Sequence, residues 1–127
     1  MSEPIVRWPF WIGIVTDDVD GLRRFYGEVL GLAESDEGAG YVQFDLDGNM
    51  LELIKRTDDP EYDGPRVQIG FEVTDIRATR QRLVERGAQP LTEILGGPAS
   101  GNYWAYFRDP DGNVFEITER TNDPSSG

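Results

Sequence analysis

Histidine and cysteine are absent from all 127 residues. Without histidine the chain lacks the commonest general acid/base and the commonest metal ligand, which excludes Ser-His-Asp triads, two-histidine iron centres and HExxH zinc sites. Without cysteine it can form no disulfide, thiolate nucleophile or cysteine-ligated zinc. Positive charge is scarce as well: one lysine and eleven arginines face 24 acidic residues, for a net charge of −12. Such a balance argues against nucleic acid and anionic membranes as partners, since both need a basic surface to neutralise phosphate. No stretch reaches the roughly 18 apolar residues of a membrane-spanning helix. The opening MSEPIVRWPFWIGIV also lacks the basic flank and small-residue cleavage site of a secretory signal. The expectation is a single-domain, cytoplasmic protein over residues 1–127.

What is present is a repeat. Ile12-Gly13-Ile14 returns 57 residues later as Ile69-Gly70-Phe71, and Asp18-Val19 returns at the same spacing as Asp75-Ile76. The ten residues from Asp47 to Arg56 return 64 residues later as Asp111 to Arg120, with five identities. Self-similarity of this kind, with an offset that grows from 57 to 64 because the second copy carries a longer connection, marks two copies of one supersecondary unit. Each copy opens on a β-branched or aromatic run, Phe10 to Thr16 and Arg66 to Val73. Each continues into a helix with an aspartate as N-cap and a glycine as stop: Asp17 or Asp18 to Gly31, then Asp75 to Gly87.

Three extended stretches follow in each copy, near 32–35, 41–46 and 50–55, then 89–94, 103–107 and 114–119. Asp-Gly-Asn between alternating runs predicts a tight hairpin in both. The reading is therefore α+β, two βαβββ modules over 10–56 and 66–120, with a linker at 57–65 and a polar tail at 121–127. Gly96 to Gly101, rich in glycine but without the lysine of a phosphate loop, is expected to be a flap.

Alternation along the strands assigns faces. Leu51 and Leu53 belong against the helix, which turns Met50, Glu52 and Ile54 the other way; Phe115 and Ile117 likewise oppose Val114, Glu116 and Thr118. Ile12 and Ile14 go with the helix, leaving Trp11, Gly13 and Val15 opposite, with Gln68 and Gly70 as their counterparts. Trp11, Glu52, Gln68 and Glu116 are thus expected on one concave face. In the strand near 103–107, either Tyr103 and Phe107 or Trp104 and Tyr106 turn to that face; Trp104 and Tyr106 are taken as its lining candidates.

Ile12-Gly13-Ile14-Val15, the helix carrying Phe25-Tyr26 and Leu30-Gly31-Leu32, and the closing Phe107-Arg108-Asp109-Pro110-Asp111-Gly112-Asn113-Val114-Phe115-Glu116 make the chain resemble the vicinal oxygen chelate superfamily. That group includes glyoxalase I, bleomycin and fosfomycin resistance proteins and extradiol dioxygenases, and the resemblance spans about Phe10 to Glu119. It implies two modules whose sheet curls around a central cavity, commonly in a homodimer. In the metalloenzymes a divalent ion binds at four positions, which here fall on Trp11, Glu52, Gln68 and Glu116. The indole of Trp11 has an N–H and no lone pair for a metal. Glu52, Gln68 and Glu116 remain as oxygen donors, a set suited to Mg²⁺ or Mn²⁺ if any ion binds.

The expected function is accordingly metal-independent binding of a planar, cationic small molecule, of bleomycin-resistance type and without a cofactor. Trp11, Met50, Glu52, Ile54, Gln68, Trp104, Tyr106 and Glu116 would line the site. Two alternatives stand beside it: a metal-dependent lyase or isomerase using Glu52, Gln68 and Glu116, and a metal-free enzyme with Glu52 or Glu116 as general base.

Overall fold

The computed structural model describes residues 5–64 and 66–120, which fall into two compact units, one of residues 10–69 and one of residues 5–9 with 70–120. The predicted polar tail 121–127 lies outside the described residues. The architecture is α+β: the first half runs strand, helix and three strands as expected, whereas the second half has four strands after its helix instead of three. The chain crosses between the units twice, after Pro9 and again after Ile69, each time within a strand.

In the first unit β1 (Pro9–Thr16), β2 (Glu34–Gly38), β3 (Tyr41–Leu46) and β4 (Asn49–Lys55) are ordered β2-β3-β4-β1. The β2–β3 and β3–β4 pairs are antiparallel and β4–β1 is parallel. Strand β2 begins two residues later than the sequence suggested, and its register shifts between Glu34 and Asp36. The predicted hairpin forms between β3 and β4, with Leu46 opposite Asn49. Its two turn residues are Asp47 and Gly48, both at positive φ (56° and 85°), as a two-residue primed turn demands.

Helix α1 (Val19–Arg24) starts where Asp18 accepts from the Gly21 N–H at 2.9 Å, then widens into a π-helical turn at Phe25–Val29. Val19, Leu22 and Tyr26 pack with Ile14, Val42, Phe44 and Leu53 to form the core of this unit. Phe25, Val29 and Leu30 are exposed. A π-helical turn holds more residues per revolution than an α-helical one, so from Phe25 onward the 3.6-residue spacing no longer keeps apolar side chains on the packed face.

The opposite face of the same strands carries a second cluster, Trp11, Val15 and Ile54, joined by Phe10, Met50 and Tyr62. The segment expected as a plain linker is part of this cluster. A 3-10 turn at Pro60–Tyr62 sets Tyr62 against it, and Thr57 donates its N–H back to the Tyr62 carbonyl at 2.9 Å.

The second unit takes the later part of β5 (Arg66–Glu72), then α2 (Ile76–Glu85), β6 (Gln89–Pro90), β7 (Leu95–Gly97), β8 (Asn102–Arg108) and β9 (Val114–Arg120). Its strand order is β5-β9-β8-β6, with β7 also on β8. Asp75 caps α2 by accepting from Ala78, and Glu119 reaches back to accept from the Ile76 N–H at 2.9 Å. Val73, Ile76, Ala105, Phe107 and Ile117 form the core, with Phe107 and Phe115 stacked 5.6 Å apart.

Three sequence expectations change in this unit. The strand near 89–94 is only two residues long, because Pro90 has no N–H for a ladder. Gly96 to Gly101 is a hairpin rather than a flap: β7 pairs with β8, and the turn closes through Ser100 and Gly101 N–H bonds to the Gly97 carbonyl. Asp111-Gly112-Asn113 is not a two-residue turn, since Arg108 pairs with Val114 across five loop residues. Asp109 organises that loop, accepting the Asp111 and Asn113 N–H groups at 2.9 Å each.

Candidate functional site

The parallel β1–β4 register sets Gly13 beside Glu52 and Trp11 beside Met50. A side chain at position 13 would occupy the space over Glu52, and glycine leaves it open. Trp11 fills that space, its ring lying so close over Gly13 that an added Cβ would come within 2.2 Å of it. The indole N–H then donates to Glu52 Oε1 at 2.8 Å. From the antiparallel side Gln43, directly opposite Glu52, donates its amide to Oε2 at 3.2 Å. Both carboxylate oxygens are thereby held by neutral donors.

Burial nevertheless dominates the protonation of Glu52. Desolvation pushes its pKa above the ordinary 4.5, the hydrogen bonds from Trp11 and then Gln43 pull the other way, and the charge of Asp36 adds to the rise. Tyr41, whose hydroxyl donates to Asp36 Oδ2 at 3.2 Å, has its pKa raised above 10, first by the charge of Asp36. Glu52 lines a cavity of about 480 Å³ with Tyr41, Ile54, Thr57, Asp59 and Tyr62 among its walls. The volume lies within the usual range for small-molecule sites.

Of the residues named from sequence, Trp11, Met50, Glu52, Ile54 and Gln68 belong to the first unit, while Glu116, Trp104 and Tyr106 belong to the second. Trp11 is only 4% exposed, so it is not an open stacking platform; its ring is packed in the cluster and its polar edge is spent on Glu52. Gln68 is fully buried and donates its amide to the Glu61 carbonyl. That donation fixes the orientation of the amide and leaves Oε1 buried without a partner.

In the second unit the β8–β9 register puts Tyr106 opposite Glu116 and Trp104 opposite Thr118. These four share a face, whereas Tyr103, Ala105, Phe107, Phe115 and Ile117 pack with the α2 core. The alternative left open by the sequence is thus decided in favour of Trp104 and Tyr106 as neighbours of Glu116. The Glu116 carboxylate is buried and accepts from the Thr118 hydroxyl. Sequence reasoning did not name Gln43, Tyr41 or Tyr62. Gln43 and Tyr41 could have been found from the hairpin register, which the Asp47-Gly48 turn determines; Tyr62 left no signal.

Neither group that holds Glu52, the Trp11 N–H or the Gln43 amide N–H, can ligate a divalent ion. The donor aimed at Glu52 Oε1 is an N–H, which competes for the lone pair an ion would use and cannot itself ligate. Among the described residues no three histidine, cysteine, aspartate or glutamate side chains are grouped to hold a metal.

Residues 8–117 match the family model of the Glyoxalase/Bleomycin resistance protein/Dioxygenase superfamily. The chain belongs to this superfamily. Among curated proteins it is 30% identical over 112 residues to the "Anthracycline biosynthesis protein DauV" of Streptomyces sp. (strain C5), covering 86% of this chain and 40% of that one. The chain therefore spans about two fifths of the length of the curated relative it matches. Among solved structures it is similar to the Mn(II)-bound glyoxalase of Novosphingobium aromaticivorans, with TM-score 0.72 and 24% identity over 91% of this chain and 40% of that one. It is also similar to methylmalonyl-CoA epimerase of Mycobacterium tuberculosis, with TM-score 0.72 and 19% identity over 100% of this chain and 97% of the other. At these identities the two structures share the superfamily fold, and chemistry has to be argued from this chain's own site.

Proposed function

We propose that this superfamily member is a metal-independent small-molecule binding protein of bleomycin-resistance type, and that it holds a planar cationic ligand in the cavity beside Glu52. The observation that carries this reading is the hydrogen bond from Trp11 Nε1 to Glu52 Oε1 at the cavity wall. It occupies the carboxylate with a neutral donor and so leaves a buried acid whose ionised form is short of positive charge. Tyr41 and Tyr62 supply aromatic surface in the same cavity, and Asp59 with Glu52 sets two acidic groups in its lining against the one cation of Lys55. A planar cation would be attracted by the rings, by cation–π contact and by pairing with the carboxylate. The face of Glu116, Trp104 and Tyr106 offers similar chemistry in the second unit. The anthracycline context of the DauV name is in keeping with a fused-ring aromatic ligand.

Titration with cationic aromatic compounds, followed by tryptophan fluorescence, tests the proposal. Glu52→Gln is expected to weaken binding by about 1–3 kcal/mol, the scale of losing a charge-assisted contact. Equal affinity for neutral analogues, or an unchanged Glu52→Gln variant, would refute it.

The raised pKa of Glu52 favours one second reading, a metal-free enzyme in which this carboxylate takes a proton from a carbon or oxygen acid. Its signature is a turnover rate that rises with pH through the Glu52 pKa and is abolished in Glu52→Gln.

A further inference from the structure

Gly13 bears no functional group, yet the contact it permits decides what Glu52 can do. In the β1–β4 register Trp11 is the partner of Met50, one position away on the same face from Glu52's own partner, Gly13. For its N–H to reach Glu52 the indole must lie along its own strand, across position 13. It does so: Cη2, Cζ2 and Cζ3 of the ring would lie 2.2, 2.6 and 3.0 Å from a Cβ built on Gly13. Contacts under 3 Å are sterically forbidden, so any residue larger than glycine must lift the ring. A lifted ring loses the 2.8 Å bond to Oε1.

The equivalent positions of the second repeat are used differently. There Gln68 stands in place of Trp11, and its amide turns to the Glu61 carbonyl. Glu116, the counterpart of Glu52, receives its donor from Thr118 on its own strand. With glutamine at position 68, the tryptophan-over-glycine arrangement of the first repeat does not recur at the equivalent positions 68 and 70.

We propose that Trp11, laid over Gly13, is a positioning residue that holds the Glu52 carboxylate in its cavity-facing orientation and occupies the side of it that a divalent ion would otherwise take. Gly13 acts only by making room for the ring. The inference deepens the metal-independent reading above and rests on it for the cavity's role, but the Trp11–Gly13–Glu52 geometry can be tested without a ligand.

The test monitors the indole N–H resonances of the ¹⁵N-labelled full chain. Trp8, Trp11 and Trp104 give three signals, and Trp11→Phe assigns the one of interest. In the wild type that signal is expected downfield and protected from solvent exchange, unlike that of Trp8, which is 89% exposed. Glu52→Leu removes the acceptor and Gly13→Ala lifts the ring, so both are expected to shift the signal towards its free position. Should Gly13→Ala fail to fold, Trp11→Ala/Gly13→Ala is expected to recover folding, because the three atoms nearest the added methyl all belong to the indole.

Ligand affinity supplies the readout that a merely structural tryptophan would not produce. Trp11→Phe keeps an aromatic ring and loses the N–H, and cationic-ligand affinity is expected to fall about tenfold or more, the scale of a lost hydrogen bond to a charged group. A Trp11 signal that ignores Glu52→Leu or Gly13→Ala, or a double variant as impaired as Gly13→Ala, overturns the inference. If the resonances behave as expected and no planar cation binds the wild type, the functional proposal fails while the positioning role stands.

Discussion

Gln43 lies directly opposite Glu52 on the β3–β4 ladder and donates to its Oε2 at 3.2 Å, so the carboxylate is gripped from two strands, by Gln43 on one side and Trp11 on the other. Two neutral donors stabilise the anion, but they do not outweigh its desolvation, and the pKa is raised.

The sign of that shift fixes a pH dependence. Below 4.5 Glu52 is protonated in both the folded and the unfolded chain; as pH rises, the unfolded chain ionises first, and above the folded pKa the cost of the buried charge is carried in full. The Glu52 contribution to stability therefore falls with rising pH. Glu34 and Asp109, whose pKa values are lowered by Arg23 and by the Asn113 side chain respectively, contribute in the opposite direction and lose their share as pH falls. Urea denaturation is expected to show Glu52→Gln gaining stability relative to the wild type between about pH 4 and pH 7. A difference that stays flat or shrinks would contradict the shift.

Metal content is the second expectation. Protein purified without added metal is expected to carry no stoichiometric zinc, nickel or iron by elemental analysis, because the chain has no histidine or cysteine and Trp11 blocks one oxygen of Glu52. Stoichiometric metal lost on Glu52→Gln or Glu116→Gln would restore a glyoxalase-like reading.

The two cores should respond separately to truncation. Leu53 and Phe107 are both fully buried, one in each unit. Leu53→Ala is expected to cost about 2–5 kcal/mol and Phe107→Ala about 3–5 kcal/mol in denaturant unfolding. A loss under about 1 kcal/mol at either position would mean that the site collapses around the cavity.

Gly96 in β7 sits at φ 89°, and an added Cβ would lie 2.3 Å from the Asn102 carbonyl oxygen and 2.6 Å from the Trp104 ring. Gly96→Ala is therefore expected to destabilise by at least about 1–3 kcal/mol from the backbone alone and to shift the near-ultraviolet circular dichroism of Trp104. An unperturbed variant would show that the hairpin can re-form around a side chain.

Association is the last expectation. Ile12, Leu46, Val67 and Ile69 of the first unit are 43–62% exposed, more apolar surface than an isolated strand face usually leaves in water. Sedimentation at micromolar concentration is expected to give twice the 14.3 kDa chain mass, with Val67→Asp shifting the equilibrium to monomer. A wild-type monomer would refute this.

The repeat, the α+β class, both helix starts and the first hairpin were legible in the sequence because each rests on a local rule: aspartate capping, glycine at positive φ, and alternation of period two. The same alternation put Glu52, Met50 and Ile54 on one side of β4 and Leu51 and Leu53 on the other, and it placed Trp11 with Glu52's face. Tertiary structure alone decided the rest. Alternation divides β8 into two faces, but both are aromatic, and only the pairing of Tyr106 with Glu116 says which one meets the carboxylate. It does not say that the Trp11 ring is buried, since exposure depends on what covers a face; here Tyr62 arrives from a segment whose proline and acids read as plain linker. Nor does it say that an indole and a carboxylate 41 residues apart are bonded, because that depends on a parallel register and on the space left over Gly13, both properties of strands brought together rather than of either strand alone.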